Sequence, residues 1–154
     1  MGLSSFLMPG SMIIGLKANN KKQLLQDLAG PASRLSGLDE RVVFEALLQR
    51  ERLGSTGIGQ GVAVPHGRLA GLAHLTGLFA RLARPIAFDA VDGEPVDLIF
   101  VLLAPEAAGA DHLQALSRIA RLFRSGNVAQ KLRQTDDVTA LYAILTADAS
   151  PRAA

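Results

Sequence analysis

His66 directly follows Pro65, at the end of the short apolar run "GVAV". Ahead of that run, "GSTGIGQG" carries Gly54, Gly57, Gly59 and Gly61. A strand stopped by proline hands the next side chain to a loop, and loops carry chemistry. His112 falls in the expected first turn of a helix, where unpaired backbone N–H groups favour anions. The two imidazoles are candidates to converge on one phosphate, but the spacing does not establish it. The glycine run has two readings. Its N–H groups form an anion-binding concavity, with the Ser55 and Thr56 hydroxyls as further donors, or the glycines simply turn the chain tightly. A bound metal is the rival reading of the histidines. It needs a third ligand, and no acidic residue stands at helical or strand spacing from His66. His74, flanked by Ala73 and Leu75 at a strand start, reads as an ordinary histidine.

The familiar nucleotide motifs fail on context. A dinucleotide fingerprint needs a strand before its glycines and a helix after them. Here a helix precedes and a strand ending in Pro-His follows. A phosphate-binding loop of the Gly-Lys-Ser/Thr type needs a lysine, and residues 54–69 contain none.

These residues must be positioned by a chain of 154 residues, enough for one domain with a sizeable core. The hydrophobic share of 49% argues against disorder, and the aromatic share of 5% leaves no platform for stacking bases. The net charge of +2 comes without a dense basic block, so no nucleic-acid footprint is expected. A weak cationic bias still suits an acidic partner. There is no cysteine, which excludes disulfides, thiolate metal sites and cysteine nucleophiles. The start "MGLSSFLMPGSMIIGLK" lacks a basic leading region and reads as a docked arm rather than a signal peptide. No apolar run reaches membrane-spanning length, so no membrane insertion and a cytoplasmic location are expected.

The first helix is expected over about Lys21–Ala29, capped by Asn19 or Asn20 and ended by Gly30-Pro31. The second spans about Asp39–Leu53, opened by Leu38 and Asp39, with Val42, Val43, Ala46 and Leu47 inward and Gly54 closing it. "GVAV" is a short strand and Leu75–Ala83 another. A turn at Asp92-Gly93 precedes a strand from about Val96 to Leu103 that is apolar on both faces and belongs in the middle of a covered sheet. A third helix starts at Asp111 as N-cap, carries Leu113, Leu116, Ile119, Ala120 and Phe123, and ends at Gly126. Short helices follow at about Val128–Arg133 and Asp136–Thr146, the latter capped by Thr135. The order predicts an α/β sandwich: a small mixed β-sheet covered by helices. One domain over 1–147 with a loose tail over 148–154 is expected.

"RERLGSTGIGQGVAVPHGRL" (Arg50–Leu69) closely resembles the phosphorylation-site signature of the fructose/mannitol class of IIA components of the bacterial phosphotransferase system. Within that class it is most similar to the nitrogen-regulatory IIA proteins. "ANNKKQLLQDLA", "PIAFDAVDGEPVDLIFVLLAP" and "DHLQALSRIARLF" extend the resemblance over essentially the whole chain. The resemblance implies the fold of that class and a stand-alone IIA unit. It implies that His66 accepts a phosphoryl group, at Nε2, from the phosphocarrier HPr or its nitrogen-branch paralogue. Arg50 matches the active-site arginine and His112 the second active-site histidine. Ser55, Gly57, Gly59 and Gly61 match the loop around the phosphate, and Gln60 takes no role. The further partners implied are regulatory target proteins or, alternatively, a IIB domain serving fructose- or mannitol-type uptake. No cofactor and no metal is implied.

The chemistry suits these types. A neutral imidazole has one lone pair to attack phosphorus and one N–H that needs an acceptor. Transfer between two histidines passes through a loose in-line transition state, so catalysis is mainly positioning and charge stabilisation. Arg50 offers a planar, always-charged fork to the phosphoryl oxygens, and His112 an N–H. Without the resemblance, Arg50 reads as a surface arginine paired with Glu51 or Asp39.

Overall fold

A computed structural model describes residues 2–125 and 127–147. After a 3-10 turn at Leu3–Ser5, the chain forms β1 (Met12–Leu16), α1 (Lys21–Ser36) and α2 (Glu40–Leu53). Three short strands follow: β2 (Gly57–Gly59), β3 (Val62–Ala63) and β4 (His66–Leu69). Two long strands, β5 (Thr76–Ile86) and β6 (Val96–Pro105), precede the helices α3 (Ala110–Arg124), α4 (Val128–Gln134) and α5 (Val138–Thr146).

β6 is the axis of the sheet, because its sequence has no polar face to leave in water. Leu98, Phe100 and Leu102 enter one apolar layer while Ile99, Val101 and Leu103 enter the other. The sheet order is β1-β5-β6-β3-β2, with β4 also pairing β6. β1 runs parallel to β5, β5 antiparallel to β6, and β3 and β4 both parallel to β6. On one face Leu24, Leu25, Leu28 of α1 and Val43, Leu47 of α2 cover the sheet. On the other, Ile119 and Phe123 of α3, Leu132 of α4 and Leu141 of α5 do so, with Leu3, Phe6 and Leu7 of the N-terminal arm. This is the expected helix-covered mixed sheet.

Several boundaries differ from expectation, each for a local reason. α1 does not end at Gly30-Pro31 but continues to Ser36. Gly30 has no Cβ to collide with the Pro31 ring, and Ala29 and Ala32 on either side are buried. The helix stops at Gly37, whose φ of 77° is left-handed. In α2 the inward line is Val43, Leu47 and Glu51, spaced by four, so Val42 is exposed. α3 begins at Ala110 after Gly109, which puts Asp111 inside the first turn rather than at the cap. Its inward line is His112, Ala115, Ile119 and Phe123, so the slot expected for Leu113 belongs to His112. Asp137, not Thr135, caps α5, because the Thr135 hydroxyl donates back to the Lys131 carbonyl. The N-terminal arm is docked, and it also contributes β1. The expected helix end at Gly126 and the tail over 148–154 lie outside the described residues.

Candidate functional site

His66 opens β4, at the register position of Leu102 on β6, rather than lying in a loop beyond the last strand. Pro65 lacks an N–H and breaks the ladder between β3 and β4, while its carbonyl still accepts from Leu102 N at 3.0 Å. The turn this creates brings the imidazole back on its own strand: Nδ1 lies 2.8 Å from the Val64 carbonyl. A carbonyl only accepts, so Nδ1 carries the proton and Nε2 holds the lone pair.

Nε2 faces Arg50, whose Nε donates to it at 3.2 Å. Arg50 lies in the last turn of α2, and its Nη1 donates to the Gly54 carbonyl at 2.9 Å, holding the guanidinium across the helix end. It makes no ion pair with Glu51 or Asp39. The His112 ring stands edge-on to His66, with centroids 5.5 Å apart and planes at 67°. Nδ1 of His112 accepts from Arg68 Nε at 3.0 Å, and its Nε2 is buried with no hydrogen-bond partner among the described residues.

Both rings are biased toward the neutral form. Burial lowers the pKa of His66 most; the bond to Val64 opposes this, Arg50 lowers it again and Glu51 raises it. Burial also leads at His112, followed by the charges of His66 and Arg68. A neutral, tautomerically fixed imidazole beside two guanidinium groups is an arrangement for accepting an anionic electrophile.

A buried carboxylate fixes the backbone under the site. Glu51 accepts from Thr56 N at 3.0 Å and from the Thr56 hydroxyl at 2.6 Å, and pairs with Lys21 at 3.1 Å. Lys21 also reaches Asp89 at 3.2 Å. The Thr56 carbonyl then accepts from Val64 N at 2.9 Å. An unbroken line therefore runs from Lys21 through Glu51, Thr56 and Val64 to His66.

The structure brings His66, Arg50 and His112 together, but it does not gather the expected phosphate loop around them. The Ser55 hydroxyl is engaged: it donates to the Phe88 carbonyl at 2.7 Å and accepts from Gly57 N at 3.0 Å. The Thr56 hydroxyl is spent on Glu51. Gly57 is glycine because a Cβ there would stand 2.8 Å from the Ala90 Cβ. Gly59 and Gly61 flank the β2–β3 turn, beside Asp92 and beside Asp97 and Arg133 respectively. β3 meets β6 at Leu98 and β4 meets it at Leu102. That places this turn roughly 13 Å along the sheet from His66. The tight-turn reading of the glycines fits these positions.

Residues that sequence reasoning missed are Arg68, Glu51 as an anchor, and Val64 as the carbonyl that sets the tautomer. Arg68 carried one signal, its place two residues after His66. A groove of about 400 Å³ beside the site is lined by Ala46, Gln49, Arg50, Arg52, Leu53 and Arg68. A bigger cavity of about 830 Å³, among Leu3, Arg118, Leu122 and Ile144, contains none of the site residues. Among the described residues no cluster of three His, Cys, Asp or Glu side chains is placed to hold a metal. No helix among them is long and apolar enough to cross a membrane.

Residues 5–148 match the family described as "Phosphoenolpyruvate-dependent sugar phosphotransferase system, EIIA 2". The chain belongs to that family. Within the EIIA 2 proteins it falls with the nitrogen-regulatory type. It is 56% identical over 145 residues, 94% of this chain and 95% of the relative, to a nitrogen regulatory protein of Bradyrhizobium diazoefficiens. It is 42% identical over 144 residues, 93% of this chain and 94% of the relative, to the nitrogen regulatory protein of Pseudomonas aeruginosa. The fold matches the crystal structure of the nitrogen regulatory protein IIA-Ntr from Neisseria meningitidis. That match has a TM-score of 0.89 at 42% identity, over 94% of this chain and 99% of the other. Membership of the EIIA 2 family carries with it a role in phosphotransfer.

Proposed function

We propose that this IIA protein takes a phosphoryl group from a phosphohistidine of an HPr-type carrier onto Nε2 of His66. Its phosphorylation state then decides which regulatory target proteins it binds, in the cytoplasm. The supporting observation is the 2.8 Å contact of His66 Nδ1 with the Val64 carbonyl, which leaves Nε2 as the nucleophile beside Arg50 and His112.

In the transfer, the N–P bond of the donor breaks and the bond from His66 Nε2 to phosphorus forms. The donor ring, protonated on its other nitrogen, departs as neutral imidazole. The His66 ring keeps its Nδ1 proton and becomes a phosphorylated imidazolium, stabilised by the Val64 carbonyl. No base is needed, since no proton moves. Arg50 releases Nε2 to the incoming phosphorus and turns its fork to the phosphoryl oxygens. The His112 N–H and the fixed guanidinium groups stabilise the charge that gathers on those oxygens.

A protein donor needs a surface around the ring. Leu53, 84% exposed, lies one turn from Arg50, and Leu113, 63% exposed, follows His112. Together with Arg50, Arg52 and Arg68 they offer apolar contact and positive charge to an acidic partner. Phosphorylation adds negative charge at the centre of this face, so docking switches with it. The family's description as a sugar system supports a second destination for the phosphate, a IIB domain.

The test incubates the chain with phosphoenolpyruvate, enzyme I and an HPr-type carrier, then measures acid-labile phosphate. The native chain should be labelled and His66→Gln should not; labelling of the variant refutes the assignment. Adding a purified IIB domain then distinguishes onward transfer from retention.

A further inference from the structure

Arg68 stands two residues beyond His66 on β4, so the pleat sends both side chains to the same side of the strand. Gly67 between them packs toward Ala46 of α2, where a Cβ would sit 3.5 Å from the Ala46 Cβ. From β4, Arg68 spans to α3, and its Nε–H donates to Nδ1 of His112 at 3.0 Å. Among the described residues, Arg68 forms no ion pair with a carboxylate.

A guanidinium has five donors, no acceptor, and never loses its proton in a protein. The nitrogen it donates to must therefore be the unprotonated one. That places the proton of neutral His112 on Nε2. Nε2 of His112 is fully buried and has no hydrogen-bond partner among the described residues, while its ring lies 5.5 Å from that of His66, centroid to centroid. A buried N–H left without an acceptor is costly. It is retained where an acceptor arrives during function, and a phosphoryl group on His66 supplies three acceptor oxygens.

We propose that Arg68 is a positioning residue, which holds His112 in the Nε2–H tautomer so that the ring donates to the phosphoryl group on His66. This rests on His66 being the phosphoryl acceptor. Without the guanidinium the His112 proton is free to move to Nδ1. A lone pair on Nε2 would then meet the phosphoryl oxygens, and an attraction would become a repulsion. Arg68 neither forms nor breaks a covalent bond, and the proton on His112 stays in place throughout. A lysine at 68 provides one mobile N–H in place of a rigid fork, and so holds the tautomer less completely.

The experiment compares the full native chain, Arg68→Met and Arg68→Lys, each confirmed folded by its thermal midpoint. Long-range proton–nitrogen spectra of the unphosphorylated chains read the His112 tautomer directly. Single-turnover transfer from a phosphorylated HPr-type carrier reads the consequence. The native chain should show His112 protonated at Nε2 alone. Arg68→Met should show a mixture of tautomers and transfer slower by roughly tenfold at saturating donor, with Arg68→Lys between the two. In a His112→Gln background, Arg68→Met should slow the saturated rate little further. An unchanged tautomer in Arg68→Met overturns the proposal. So does a changed tautomer with an unchanged saturated rate, which would leave Arg68 with donor docking alone. Failure of the native chain to accept phosphate overturns the His66 reading and this role with it. That failure is distinguishable, because the tautomer is read without phosphate.

Discussion

Nδ1 of His66 lies 2.8 Å from the carbonyl oxygen of Val64, with only Pro65 between the two residues. The acceptor that fixes the tautomer therefore belongs to the same stretch of backbone as the ring. Its position is set by Thr56 and, through Thr56, by the buried carboxylate of Glu51. On the proposed assignment the nucleophile is prepared before any partner arrives, which is what positioning catalysis requires.

Lowered pKa values at His66 and His112 have a direct consequence for stability. In the unfolded chain both rings titrate near the ordinary 6.5, and in the folded chain below it. Between those values the unfolded chain binds more protons. Stability therefore falls as pH drops through 6.5 toward the folded values, and these rings leave it level above. Urea midpoints across pH should show that slope, and a His66→Gln, His112→Gln double variant should flatten it. A slope unchanged in the double variant contradicts neutral burial of the rings. The acid limb of phosphoryl acceptance should also lie below 6.5.

Arg50→Ala should slow single-turnover transfer by roughly 100-fold, the effect of losing one preorganised donor to developing charge. Its bond to the Gly54 carbonyl is exposed, so stability should fall by only about 0.5–1.5 kcal/mol. Arg50→Lys should recover part of the rate, since it restores charge without the fork. Transfer unaffected in Arg50→Ala, with the fold loosened, would make the arginine a helix-end contact only.

Glu51→Gln should lower stability by about 1–3 kcal/mol. The side chain is 3% exposed and takes three bonds from Lys21 and Thr56; the amide removes the charge facing the Lys21 ammonium and leaves Asp89 as its carboxylate partner. Transfer should slow as well, because the line from Glu51 to Val64 loosens. Chemical denaturation and the single-turnover rate check both. A variant as stable as the native chain removes Glu51 from that line.

Much of this was legible in the sequence, and each exception has a local cause. β6 was readable because every residue from Leu98 to Ala104 is apolar, which only a strand covered on both faces tolerates. β4 was not, because "HGRL" has polar side chains where a strand normally shows its alternation. Those polar residues belong to the candidate site itself. Had His66 been placed on a strand, its i+2 relation to Arg68 would have put the two on one face. His112 was legible as a candidate, but its core-facing slot on α3 was not, because an apolar pattern assigns that slot to Leu113. β1 is short and bulged at Gly15, where φ is 82°, so it read only as an arm. The glycines stayed ambiguous for a different reason. Composition does not distinguish a phosphate cradle from the turn and close contact that Gly57, Gly59 and Gly61 serve.

The nitrogen that carries the phosphate tests the whole account. The native chain, labelled by a phosphorylated HPr-type carrier, is to be mapped by peptide mass spectrometry and by phosphorus–nitrogen coupling in the nuclear magnetic resonance spectrum. The account predicts a single phosphate on Nε2 of His66, with Nδ1 still protonated. Phosphate on Nδ1 of that ring, or on His112 or His74, contradicts it.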